Sequence, residues 1–122
     1  MKLHRSVFAV IIAVIFFFTS CKKNQLGGKS TVQGQVAHHE KPIPFARVFI
    51  KFNAKEFPGS DTSLYDSKFR TAGEGKYSFT CYKGDYYLYA YGYDQSIMAN
   101  VKGGLYVKVR TNEDITANLA VT

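Results

Sequence analysis

Between Gly84 and Tyr93 the chain reads GDYYLYAYGY, so Tyr87, Tyr89, Tyr91 and Tyr93 fall on every second residue. Side chains at that spacing share one side only of an extended strand, whereas a helix would scatter them around its axis. The intervening Tyr86, Leu88 and Ala90 then face the other way and suit a core. The same period recurs elsewhere, and the spacing predicts strands over Thr31–Ala37, Phe45–Phe52, Lys68–Thr71, Lys76–Tyr82, Tyr86–Tyr93, Ile97–Val101, Leu105–Arg110 and Ile115–Val121. No amphipathic helical period competes. Many short strands separated by Gly, Pro, Asn and Asp signals indicate an all-β sandwich. The longest irregular stretch, Asn53 to Asp66, holds the turn signal Pro58-Gly59 and reads as a surface loop.

Alternation also selects the expected core. Val32, Gly34, Val36, Ala46, Val48, Ile50 and Phe52 share one side with Tyr77, Phe79, Cys81, Tyr86, Leu88 and Ala90. Leu105, Val107, Val109, Ile115, Ala117, Leu119 and Val121 complete the set. Burying each large apolar side chain is worth roughly 1.5–3 kcal/mol, so the domain needs neither bridge nor metal to fold. On this parity Cys81 points inward and behaves as an inert small hydrophobe.

The N-terminus obeys a different logic. Lys2, His4 and Arg5 are followed by twelve unbroken apolar residues, Val7 to Phe18, then Thr19, Ser20 and Cys21. A permanent membrane span needs about 20 apolar residues, so the run is a secretion signal over residues 1–20 and not a span. Phe18-Thr19-Ser20-Cys21 resembles the lipobox of bacterial lipoproteins, of the kind seen in the Bacteroidota. That resemblance implies that Cys21 is lipidated, with palmitate among the attached chains, and becomes the new N-terminus. The alternative is an ordinary signal peptide cut nearby. Cysteine usage fits the lipid reading, because Cys21 and Cys81 are the only two cysteines and no disulfide framework is possible within the folded part. A Cys21–Cys81 bridge is the competing arrangement.

Residues 21–30 continue as CKKNQLGGKS, the composition of a flexible tether, and residues 31–122 form one small domain. Without the signal the chain keeps fourteen of its sixteen Lys and Arg against nine acidic residues, a formal +5. Such a balance favours anionic lipid headgroups or acidic polysaccharide, and an exported chain has no nucleic-acid partner.

The series Val32-x-Gly34-x-Val36, Pro42-Ile43, Ala46-x-Val48-x-Ile50, Gly75-x-Tyr77-x-Phe79, Gly84-x-Tyr86-x-Leu88-x-Ala90 and Leu119 resembles the carboxypeptidase regulatory-like domain. The resemblance implies a seven-stranded transthyretin-like sandwich, also called prealbumin-like, with Ig-like architecture.

The row Tyr87, Tyr89, Tyr91 and Tyr93 is the candidate binding surface, with Tyr106 from a neighbouring strand. Same-face residues lie roughly 6.5–7 Å apart, giving a row of phenol rings about 20 Å long. Such a row stacks on sugar rings, forms a protein interface, or simply packs across the strands. If the neighbouring strands contribute Tyr106, Lys108 and Arg110 or Phe45, Arg47 and Phe49, the surface is both aromatic and basic. His38-His39-Glu40 is the one cluster with metal-ligand chemistry, but adjacent side chains on an extended segment diverge, and the following Lys41-Pro42 marks an exposed hairpin. No nucleophile is tied to a histidine by spacing, and Gly73-Glu74-Gly75 and Gly103-Gly104 read as turns. The expectation is a non-enzymatic lipoprotein of the cell envelope without cofactor or metal; the alternatives are a carbohydrate-binding module using the tyrosine row and a small hydrolase of the transthyretin-like fold. Its partners are the membrane through the lipid anchor and an envelope protein or glycan. The outer membrane, periplasm-facing, is the favoured location, with the inner membrane and the cell surface left open.

Overall fold

Gln33 and Gln35 face outward on β1 (Leu26–His38) while Val32 and Val36 are fully buried, so the strand has one wet and one dry side. The computed structural model describes residues 22–122. The signal segment and Cys21 lie outside the described residues. After β1 come β2 (Lys41–Pro42), β3 (Arg47–Phe52), β4 (Ser67–Arg70), β5 (Lys76–Cys81), β6 (Gly84–Asp94), β7 (Ala99–Val109), β8 (Asp114–Thr116) and β9 (Leu119–Ala120). A single 3-10 turn, Thr62–Leu64, interrupts the connection between β3 and β4.

These strands form an all-β sandwich of two sheets. In the first, β1 pairs antiparallel with β2 and β5 and parallel with β8 and β9. The second has the antiparallel order β4-β3-β6-β7. Val32, Val36, Tyr77 and Cys81 of the first sheet meet Val48, Ile50, Tyr86, Leu88, Ala90, Val101, Val107 and Val109 of the second in one core. The described core runs from Val32 to Val121 and draws on both sheets.

Several boundaries differ from the expectation. Among the described residues nine strands form where the alternation predicts eight, partly because the last of those eight is broken. At Ala117-Asn118 the chain dips onto Gly34, where a Cβ would collide with the Ala117 carbonyl, and the Tyr77 hydroxyl donates to that carbonyl. The Asn118 side chain then accepts from the Gln35 N–H at 3.2 Å, replacing a ladder bond. Gly103-Gly104, expected as a turn, sits inside β7, which joins the two separate strands expected there. The small residues admit close neighbours: a Cβ on Gly103 would strike the Ala120 carbonyl, and one on Gly104 would lie 2.6 Å from the Tyr87 hydroxyl.

The segment expected as a tether also differs, because β1 already begins at Leu26. Asn24 N–H donates to the Lys83 carbonyl at 2.9 Å, and its side-chain oxygen accepts from the Asp85 N–H at 2.9 Å. The Gln25 carbonyl accepts from Tyr82 N–H at 2.9 Å and from the Tyr86 hydroxyl at 3.1 Å. Backbone groups that find partners on the domain have no reason to stay in solvent, which a composition argument does not register.

Candidate functional site

The outward face of the second sheet is set by strand register. Arg47, Phe49 and Lys51 on β3 lie opposite Tyr91, Tyr89 and Tyr87 on β6, and Tyr87 in turn lies opposite Tyr106 on β7. On the other flank, Lys68 and Arg70 of β4 stand beside Phe49 and Arg47. The four tyrosines share one face; of the residues expected to join them Arg47 and Phe49 border the row, whereas Lys108 and Arg110 lie at the far end of the sheet beside Asp85, and Phe45 sits in a turn before β3.

The row is not uniformly open. Residues Asn53 to Asp66 fold back over its middle, where Phe57 packs on Tyr87 and Tyr89 with ring centres 5.9 and 5.5 Å apart. Tyr65 stacks on Tyr89 and packs on Phe49, both at 5.8 Å. Tyr89 is consequently only 6% exposed. Burial, with Tyr89 and Tyr87 beside it, pushes the Tyr65 hydroxyl up to about 12. The loop is held by its own bonds: Asp66 accepts from the Phe52 N–H at 2.7 Å, and the Tyr65 hydroxyl donates to the Gly59 carbonyl at 2.9 Å.

What stays open is the end of the row beyond the loop. Tyr93 is 47% exposed and Tyr91 half-buried. Arg47 donates to the Tyr91 hydroxyl at 3.4 Å, and Phe49 stacks on Tyr91 at 5.7 Å. Arg47, Phe49, Thr62, Lys68, Arg70 and Tyr91 line a shallow cleft with an aromatic floor and a basic rim. Its three cations make no ion pair with a carboxylate among the described residues. Tyr106 faces the other way along the sheet, where its hydroxyl donates to the Asp85 carboxylate, and that bond raises its pKa.

His38-His39-Glu40 forms a hairpin as expected, with His39 and Glu40 in the turn at positive φ. His38, however, is not exposed. Its Nδ1 lies 2.7 Å from an oxygen of Asp94, and their side chains are 13% and 6% exposed. Bonds from Ser96 and His38 hold the Asp94 carboxyl down at about 2, so the ionised carboxylate accepts the Nδ1 proton. The sequence carried a signal for this pair, because Asp94 continues the inward parity of Tyr86, Leu88 and Ala90. Ser96 bonds the carboxylate and not the imidazole, so the three side chains lack the order of a nucleophile, base and orienting acid. Among the described residues no group of three His, Cys, Asp or Glu is placed to hold a metal.

Compared with protein-family models and with curated proteins, the chain matches none.

Proposed function

We propose that this chain is a non-enzymatic lipoprotein of the cell envelope, anchored through Cys21, whose sandwich presents the Arg47–Tyr91 cleft to a partner protein. A carboxypeptidase regulatory-like domain of transthyretin-like topology is part of the same reading, supported by the ordered apolar and glycine positions from Val32 to Leu119. The observation that carries the interaction role is the open end of the tyrosine row. An aromatic floor and guanidinium groups that make no ion pair among the described residues are the residue types that dominate protein interfaces. The covered middle of the row weighs against a long sugar chain, which would need successive open rings. A short carboxylate-bearing glycan fits the cleft as the second reading, since Arg pairs with carboxylates and rings stack on sugars.

Two measurements separate the parts of this proposal. Palmitate-analogue labelling of the whole chain and of Cys21→Ser tests the anchor, and equal label in both refutes it. Cross-linking in native membranes, followed by purification, tests the cleft. Arg47→Ala with Tyr91→Ala is expected to lose the partner captured by the wild type while remaining folded and lipidated. Retention of the same partner by the variant would remove the cleft from the proposal. Capture of an acidic glycan in place of a protein would favour the second reading.

A further inference from the structure

The strands all run between two ends of the sandwich, and the chain enters at one of them. Asn24 is pinned there by Lys83 and Asp85, with Gly84 making room, since a Cβ at that glycine would run into the Asn24 side chain. Only Lys22 and Lys23 separate Asn24 from Cys21. Three residue steps reach at most about 11 Å even when fully extended. A lipid on Cys21 therefore holds this end of the domain against the bilayer surface and does not let it roam on a ten-residue leash.

The same end is basic. Two adjacent clefts surround the entry point, one lined by Lys23, Lys83, Lys108 and Arg110 and the other by Lys22, Lys29 and Lys83. All six cations are exposed, and none makes an ion pair with a carboxylate among the described residues. The single carboxylate in the lining, Asp85, accepts the Tyr106 hydroxyl, and Glu113 and Asp114 lie just beyond. Lys22 also stands over the Tyr82 ring at 5.7 Å from its centre, a half-buried aromatic of the kind that settles at headgroup depth. The opposite end carries both signs together with apolar groups: Glu40, Lys41, Glu74, Lys76, Ile97 and Met98 are exposed there, and Lys76 pairs with Glu74.

We infer that the end of the sandwich around Asn24 is a docking surface for anionic phospholipid headgroups, with Lys22, Lys23, Lys29, Lys83, Lys108 and Arg110 as its contacts. The surface sets the domain upright on the bilayer. Six exposed cations against three nearby carboxylates leave this end net positive, and a charge within about 8 Å of an anionic bilayer in physiological salt is attracted to it with little screening. The biological use of the surface rests on the anchor reading. Its affinity for headgroups does not, and that makes the two separable.

The test uses residues 22–122, which hold both described sheets and their core and are first checked for folding by circular dichroism, so neither a lipid nor the apolar leader contributes. Vesicles of phosphatidylcholine alone are compared with vesicles in which phosphatidylglycerol replaces a third of the lipid. Co-sedimentation is expected with the anionic vesicles at low salt and to vanish at high salt. Lys83→Glu with Arg110→Glu is expected to weaken it about tenfold or more, since each basic residue near an anionic surface contributes measurably. Lys41→Glu with Lys102→Glu, the same change of net charge elsewhere, is expected to leave binding within about twofold. Circular dichroism confirms that each variant is folded. Equal binding to neutral vesicles, equal loss in both variants, or binding to a soluble acidic polysaccharide but not to vesicles would each overturn the inference. Vesicle binding together with a negative palmitate label overturns the anchor alone, and the converse pair of results overturns the docking surface alone.

Discussion

At the scale of single residues, position within the alternation decides more than residue type. Asp94 is a charged side chain on the dry parity of β6, and it is tolerated because His38 at 2.7 Å and Ser96 at 2.6 Å satisfy its oxygens. The pair ties the end of β1 to the end of β6 across the two sheets. Because the folded state holds the carboxyl at about 2, below its ordinary 3.8, the folded state binds the proton less readily than the unfolded chain. Stability from this group is therefore fully present above about pH 4 and is lost as pH falls towards about 2. Asp94→Asn is expected to lower the urea midpoint at neutral pH and to flatten its decline in acid, so that variant and wild type converge near pH 2. Midpoints differing by the same amount at both pH values would mean that the carboxylate's charge plays no part.

At the scale of elements, the strands that alternate cleanly are the ones legible in sequence. Val48, Ile50, Tyr86, Leu88, Ala90, Val107 and Val109 are buried as their parity dictates, and the expected Phe52, Phe79, Leu105 and Ile115 pack against the same core while partly exposed. Ile43 and Val101 join that core from outside the alternating sets. Where neighbouring chain segments override local pattern, structure departs from periodicity. Gly103-Gly104 carries turn chemistry, yet its small size serves a crossing carbonyl and a tyrosine ring within β7. Residues 53–66 read correctly as irregular, but nothing in their spacing showed that Phe57 and Tyr65 would cover half of the tyrosine row. Long-range aromatic contacts leave no periodic trace. That cover has a measurable weight, since aromatic pairs contribute about 0.5–1.5 kcal/mol each beyond the area they bury. Tyr65→Ala removes stacking on Tyr89, packing on Phe49 and the bond to Gly59. It is expected to cost about 1–2 kcal/mol in urea unfolding and to speed hydrogen exchange across residues 53–66 while β1 and β6 stay protected. Uniformly faster exchange over the whole sandwich would show instead that the loop is part of one cooperative unit.

At the scale of the whole molecule, the fold rests on one interior built without a bridge among the described residues, and Cys81 reports on that interior. Its thiol has no exposed surface, lies at the end of β5 against Tyr86, and is pushed up in pKa by burial. A thiolate is the reactive form, so a buried, protonated thiol reacts only when the structure around it opens. Tyr86 and Cys81 sit where β5, the entering chain and β6 meet, because the Tyr86 hydroxyl donates to the Tyr82 and Gln25 carbonyls. Opening that junction separates the two sheets at the basic end and breaks the docking of Asn24 and Gln25 with it. Access to Cys81 is therefore expected to require unfolding of the entire sandwich. In Cys21→Ser chains, labelling of Cys81 by a small thiol reagent is expected to run at least about a thousandfold slower than in urea, as a stability of 5 kcal/mol or more demands. Its rate should rise with denaturant along the global unfolding curve. A labelling rate that ignores low denaturant, while the far-ultraviolet spectrum stays native, would place a local opening at this end of the sandwich and make the basic surface a mobile one.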